Sequence, residues 1–274
     1  MDYTAEVAIG LRRTPRESLS YALSKLTTPL EIPTSLERII IKPSIYDPDL
    51  VGNTNPEVVN AVISIFKSLA PVSIVESDNP FRLTSTAFTK CGYDRLAEDD
   101  VHLVNLSKEP FLKMIMPGHY FKEHDMPMLL QRGFLLINIP TMKLEPNQVS
   151  VGAGIKNLFG LLPEVDKRIY HENLNDILLD LLIAFRPHLT IVDLTKIVLG
   201  NRNEGKTRDA NAVLVGRDPV AVDAVCADLL NLNPMKIDLL KRANQLDLGE
   251  VLIDRIRIIG TEDQKAKLSE LCQF

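Results

Sequence analysis

Arg38-Ile-Ile-Ile-Lys-Pro43, Thr54-Asn-Pro-Glu-Val-Val-Asn-Ala-Val-Ile-Ser-Ile-Phe66 and Pro71-Val-Ser-Ile-Val-Glu76 follow one another along the chain, and their reading decides the fold. The first run is short, β-branched and stopped by a proline, the pattern of a buried strand. In the second, Thr54 or Asn55 can cap a helix that Pro56 opens, because a proline in the first turn forfeits only an N–H without an intrahelical partner. Val58, Val59, Val62, Ile63, Phe66 and Leu69 then recur at helical spacing. The third run is again a strand.

Working outward, the same rhythm recurs. A helix near Ser85–Cys91 precedes the strand His102–Asn105, and a helix around Pro127–Gln131 precedes the strand Phe134–Ile139. The amphipathic segment Leu174–Phe185 leads into Leu189–Asp193. Ala212–Val215 leads into a helix near Pro219, and Ile256–Ile259 into a last helix from Glu262. Strand and helix in alternation predict an α/β fold, a mostly parallel sheet with helices on both faces in three layers. The stretch Lys108–Asp125 fits no element and is expected to be an irregular insertion or lid. The 274 residues are expected to form a single α/β domain, or two subdomains of about 1–110 and 130–274.

Composition narrows the function. The chain is 45% hydrophobic and 24% charged, ordinary for a globular protein, with a net charge of −5. A nucleic-acid binder needs a basic face and often aromatic platforms; neither is evident here, so nucleic acid is not an expected partner. No basic leader precedes an apolar core near Met1, and no apolar run approaches the roughly 20 residues that span a bilayer. A cytoplasmic protein without a membrane partner is expected. Cys91, Cys226 and Cys272 are too far apart for a metal or disulfide framework, so no iron–sulfur cluster is expected.

Open α/β sheets bind ligands at the carboxyl ends of their strands, which gives weight to polar residues just after a strand. Asn138 ends one, Lys143 follows it, and Val151-Gly-Ala-Gly-Ile-Lys-Asn-Leu-Phe-Gly160 adds Gly154, Lys156 and Asn157. Glycines beside lysines at a helix start suit an anion; a solvated loop is the plain alternative. The spacing is neither the dinucleotide fingerprint nor a P-loop. Asp193 ends a predicted strand and either caps the next turn or meets a ligand. Asp218 reads as a helix N-cap. Asp223 lies inside an apolar helix, where a carboxylate needs a partner, and Lys143 or Lys156 is the expected one. Arg202, Lys206 and Arg208 could clamp a phosphate or carboxylate. His171 is a candidate general acid–base group or a helix-start residue. His119 and His124 are five apart, not the four of a helical metal pair, so no metal is assigned.

Asn138-Ile-Pro-Thr-Met-Lys143 with Gly154-Ile-Lys-Asn-Leu-Phe-Gly-Leu-Leu-Pro163 resembles the family called domain of unknown function 362. Lys42-Pro43, Thr54-Asn-Pro-Glu-Val-Val59, Cys91-Gly-Tyr93, Tyr170-His171, Arg186-Pro-His-Leu-Thr-Ile-Val-Asp193 and Gly216-Arg-Asp-Pro-Val-Ala-Val-Asp223 extend the likeness from about residue 38 to 249. Many relatives carry a ferredoxin-like iron–sulfur segment, which implies a redox connection for them. This chain departs from the pattern: it lacks clustered cysteines, and also a histidine that relatives tend to show near Leu144-Glu145.

The leading expectation is an enzyme or enzyme-like protein binding a small anionic metabolite. Asn138, Lys143, Gly154, Lys156, Asn157, Arg202 and Arg208 would form the binding site, and Asp193, Asp223 and His171 would transfer protons. A non-catalytic accessory of a redox partner protein and a ligand-free homo-oligomer are the alternatives. A weaker one, racemase-like or redox chemistry on a hydroxy acid, rests on a fold-level likeness around Thr54–Pro56.

Overall fold

A computed structural model describes residues 3–145, 150–198 and 205–272. In chain order the elements are β1 (Ala5–Leu11), α1 (Pro15–Lys25), β2 (Arg38–Pro43), α2 (Pro56–Phe66), β3 (Val72–Glu76), α3 (Thr84–Lys90), β4 (Val101–Asn105), β5 (Phe111–Ile115), β6 (Glu123–Pro127), β7 (Phe134–Ile139), β8 (Lys143–Glu145) and β9 (Ser150–Gly152). There follow α4 (Gly154–Asn157), α5 (Leu174–Ala184), β10 (Leu189–Val198), β11 (Thr207–Gly216), α6 (Pro219–Leu229), α7 (Asp238–Gln245), β12 (Ile256–Ile259) and α8 (Glu262–Cys272).

Eight strands form one sheet in the order β12-β1-β11-β10-β7-β2-β3-β4. Every pairing is parallel except those of β11, which runs against both β10 and β1. The predicted three-layer α/β fold is the one observed. Side-chain alternation sorts each strand between two cores. Ile39 and Ile41 pack with Leu19, Val59 and Ala87 of α1, α2 and α3. Ile40 packs with residues of α5 to α8, including Leu178, Val222 and Leu268.

The expected start of α2 is confirmed in detail: Asn55 is its N-cap, with Oδ1 accepting from Glu57 N at 3.0 Å, and Pro56 follows. Several elements differ from expectation. Before Arg38 the structure adds β1 and α1, the latter opened by a reciprocal Thr14–Glu17 capping box. The expected helix around Pro127–Gln131 is a single 3-10 turn at Met128–Leu130. β10 continues past Asp193 to Val198, because the antiparallel β11 pairs with it along that extension. The expected irregular insertion at 108–125 is a β5–β6 hairpin outside the main sheet. Its tip is tied down: the buried carboxylate of Asp180 on α5 accepts N–H bonds of 2.8–2.9 Å from His119, Tyr120 and Phe121.

Candidate functional site at the carboxyl edge of the sheet

From β2 the chain proceeds outward through β3 to β4, then returns to place β7 on the other side of β2. The gap between the ends of β2 and β7 is thus a point where strand order reverses, the place open α/β sheets use for ligands. Lys42 and Asn138 end these two strands, paired in register.

Here four expected residues converge. Asn157 Nδ2 donates to Lys42 O at 3.0 Å and to Asn138 Oδ1 at 2.7 Å, while Asn138 Nδ2 donates to Gly154 O at 2.8 Å. Asp223 of α6 accepts from Gly154 N at 2.6 Å and Ile155 N at 2.9 Å. The expected lysine partner of Asp223 is therefore corrected: backbone N–H groups at the start of α4, which have no intrahelical acceptor, satisfy it. Burial raises the Asp223 carboxyl to about 7 against these two donors, and nearby Asp218 adds to the rise. A side chain at Gly154 would sit 2.8 Å from Asp223 Oδ1 and 3.1 Å from Thr190 Cγ2, so only glycine lets the segment approach this closely. These residues satisfy one another and fill the crevice with the chain itself.

Beside them lies a cluster the sequence reading left unassigned. Lys42 is 1% exposed and its Nζ sits 2.9 Å from Glu76 Oε2 at the end of β3. Glu76 also accepts from Ser77 N and Ile45 N and lies 3.9 Å from Arg82 Nη2. Burial lowers the Lys42 pKa against the pull of Glu76. Arg82 braces the loop through the carbonyls of Ile45, Tyr46 and Ser77. Gly160 roofs the pair, since a Cβ there would stand 2.8 Å from Lys42 Nζ. Lys167 Nζ is held by the carbonyls of Asp78 and Glu164.

On the opposite face, Asp193 accepts from Asn55 N at 2.7 Å and Thr195 N at 2.8 Å. It is level with the end of β7, donating its own N–H to Pro140 O. Burial raises its pKa against those donors and the charge of Lys143. Lys143, 5% exposed, places Nζ 3.0 Å from Ser44 Oγ and passes beneath Gly52, whose φ of +83° and close approach to Lys143 Cε both suit glycine. Ser44 belongs to this end and was not singled out from sequence, and Asn55 was singled out only as a helix cap.

The remaining candidates lie apart. Lys156 is half-buried on α4. His171 is exposed, its ring centroid 6.0 Å from that of Phe159. Arg208 Nη1 donates to the carbonyls of Glu270 and Leu271 and so caps the last turn of α8, away from the other candidates. Arg202 lies outside the described residues. An open depression of about 930 Å³ is lined by Arg12, Arg13, Glu17, Asp209, Asn211 and Lys267 among others, none of them a candidate.

A curated relative, Thylakoid-associated protein sll1697 from Synechocystis sp., is 26% identical over 232 residues, covering 78% of this chain and 69% of that protein. A family model described as "Domain of unknown function (DUF362)" matches residues 39–228, the span from β2 into α6 that carries Lys42, Asn138, Gly154, Asn157, Asp193 and Asp223, and the chain belongs to that family.

Proposed function

We propose that the protein binds a small anionic metabolite, bearing a carboxylate or phosphate, at the carboxyl edge of β2, β7 and β10. Lys143 and Ser44 are its donors, and Asp193 is the group that would exchange a proton. One observation carries this reading. In a chain of net charge −5, four basic side chains reach this edge of the sheet, Lys143 beside Asp193 on one face and Lys42, Arg82 and Lys167 around Glu76 on the other. Low-dielectric walls around buried cations strengthen the field that draws small anions.

A thermal-shift panel of phosphate, pyruvate, lactate, nucleotides and divalent cations tests it. Ligand at 100 times its Kd stabilises a fold by about 2.7 kcal/mol. The expected result is a shift with one anion class that Lys143→Met and Ser44→Ala abolish. A panel without any shift would overturn the reading.

It would favour the second one, a non-catalytic accessory of a redox partner. That reading draws on the crevice itself, where Asn138, Gly154, Asn157 and Asp223 pair with each other. We also infer a cytoplasmic setting without nucleic-acid partners, from the acidic charge and the three widely spaced cysteines. Among the described residues no helix is long and apolar enough to cross a membrane. The relative's printed name sets a thylakoid-associated location as the competing outcome, which cell fractionation separates.

A further inference from the structure

We propose that the loop after β2, residues 44–54, is a lid that lies closed over the anion site and lifts to admit a ligand to Lys143 and Asp193. The inference rests on the site proposed above and adds how that site is entered.

The groups assigned to the ligand are covered. Lys143 is 5% exposed and Asp193 2%. What covers Lys143 is the loop itself: a Cβ at Gly52 would stand 3.0 Å from Lys143 Cε and 2.9 Å from Val198 Cγ2, so the backbone rests directly on the lysine stem. Ser44, at the start of the loop, places Oγ 3.0 Å from Lys143 Nζ, and Asn55 N, just past its end, holds Asp193 at 2.7 Å. A ligand that touches these groups has to displace what lies on them.

The loop is built to move as one body. Its ends are joined, since Thr54 N donates to Ser44 O at 2.9 Å and Ser44 N to Thr54 Oγ1 at 2.8 Å. This is the closed neck of an Ω-loop, a compact surface loop packed by its own side chains. Asn53 does the packing: its Nδ2 donates to Asp47 O at 2.7 Å and Leu50 O at 3.0 Å, and its Oδ1 accepts from Tyr46 N at 3.1 Å. Asn79 and Arg82 pin Tyr46 O, which leaves 47–53 as the part that swings.

Its fastenings are few. Among the described residues two side chains of the body hold 47–53: Thr141 Oγ1 donates to Gly52 O at 2.9 Å, and Lys90 Nζ lies 2.6 Å from Asp49 Oδ2. The second is an exposed pair that solvent screens. No residue from 46 to 53 is buried, so lifting the loop takes no side chain out of either core. Segments with few buried apolar contacts open locally, well below the cost of global unfolding. Lys42 makes the contrast. It is 1% exposed too, but its roof at Gly160 belongs to a segment whose Leu158, Leu161 and Leu162 are core residues.

The test is pulse acetylation of lysines in the full chain with acetyl-N-hydroxysuccinimide, without added anion, read by peptide mass spectrometry. Lys42 is the internal standard for global unfolding. The expected result is Lys143 acetylated about tenfold or more faster than Lys42. Thr141→Val, which removes the fastening at Gly52 O, should quicken Lys143 about fivefold, as one lost hydrogen bond dictates, and leave Lys42 unchanged. Equal rates for Lys143 and Lys42, or a Lys143 rate that Thr141→Val does not change, overturn the inference. In either case a phosphate or lactate thermal shift that Lys143→Met abolishes leaves the anion site standing. A fast Lys143 that neither phosphate nor lactate slows, with no thermal shift across the panel, removes the site and the lid with it. Should Thr141→Val misfold, the urea dependence of the two rates in the unmodified chain decides. A shallow slope for Lys143 beside a steep one for Lys42 supports a local opening, and equal slopes overturn it.

Discussion

Asp193 and Asp223 make an instructive pair. Both are 2% exposed, both accept two backbone N–H bonds, and in both burial raises the carboxyl pKa. They differ in their surroundings. Asp193 feels the cation of Lys143 and anchors the start of α2, beside half-buried residues that solvent reaches. Asp223 feels another carboxylate, Asp218, and anchors a segment sealed against the sheet. A buried aspartate in a polar strip is thus no sign of chemistry by itself; what decides is whether its charge is balanced by something that can change.

Three measurements can break that comparison. The largest effect is expected for Asp223→Ala, which strands two buried N–H donors and opens a cavity. Urea unfolding should show a loss of about 3 kcal/mol, and a loss below that of Asp193→Ala would reverse the assignment. Asp193→Ala should cost about 2 kcal/mol, because water can replace part of what Asn55 N and Thr195 N lose. It should also weaken any proton-coupled function, which Asp223→Asn should spare.

The smallest effect is in pH. The folded Asp223 carboxyl titrates near 7, above its unfolded value near 4, so the folded state holds the proton more tightly. Its stabilising contribution is complete below the unfolded pKa and is lost as pH rises through 7. Lowering pH from 8 to 6 should add about 1 kcal/mol to stability, a gain that Asp223→Asn should erase. An unchanged slope in that variant would place the titrating group elsewhere.

Most of the sheet was legible because its interior parallel strands are unbroken apolar runs, as Ile39–Ile41 and Phe134–Ile137 are. The hairpin was not: β5 turns Phe111 and Ile115 outward, and exposed apolar residues hide the alternation that marks a strand. β1 and α1 escaped notice although the Thr14–Glu17 capping box is written in the sequence. Within the site, Asn138, Gly154, Asn157 and Asp223 came together because one compact segment carries most of the signal. Lys42 and Glu76 end neighbouring strands separated by α2, so their contact is a product of topology. Applying to them the rule that drew attention to Asp193, a charge at the end of an apolar strand, would have found both. Lys167 bears no such mark; Glu164 lies three residues before it, but Asp78 and the other charges around it are distant in sequence.

The place of β1 has a consequence for how the protein is made. Its register partners, Gly216 of β11 and Ile256 of β12, lie far later in the sequence. Long-range pairings of this kind are slow, because loop closure precedes the contacts that reward it. During synthesis β1 must wait for β11 and β12 to emerge, while the β2–α2–β3 unit can collapse at once. The sheet is completed from its middle outward, and β1 is fastened only when β11 and β12 are there to flank it.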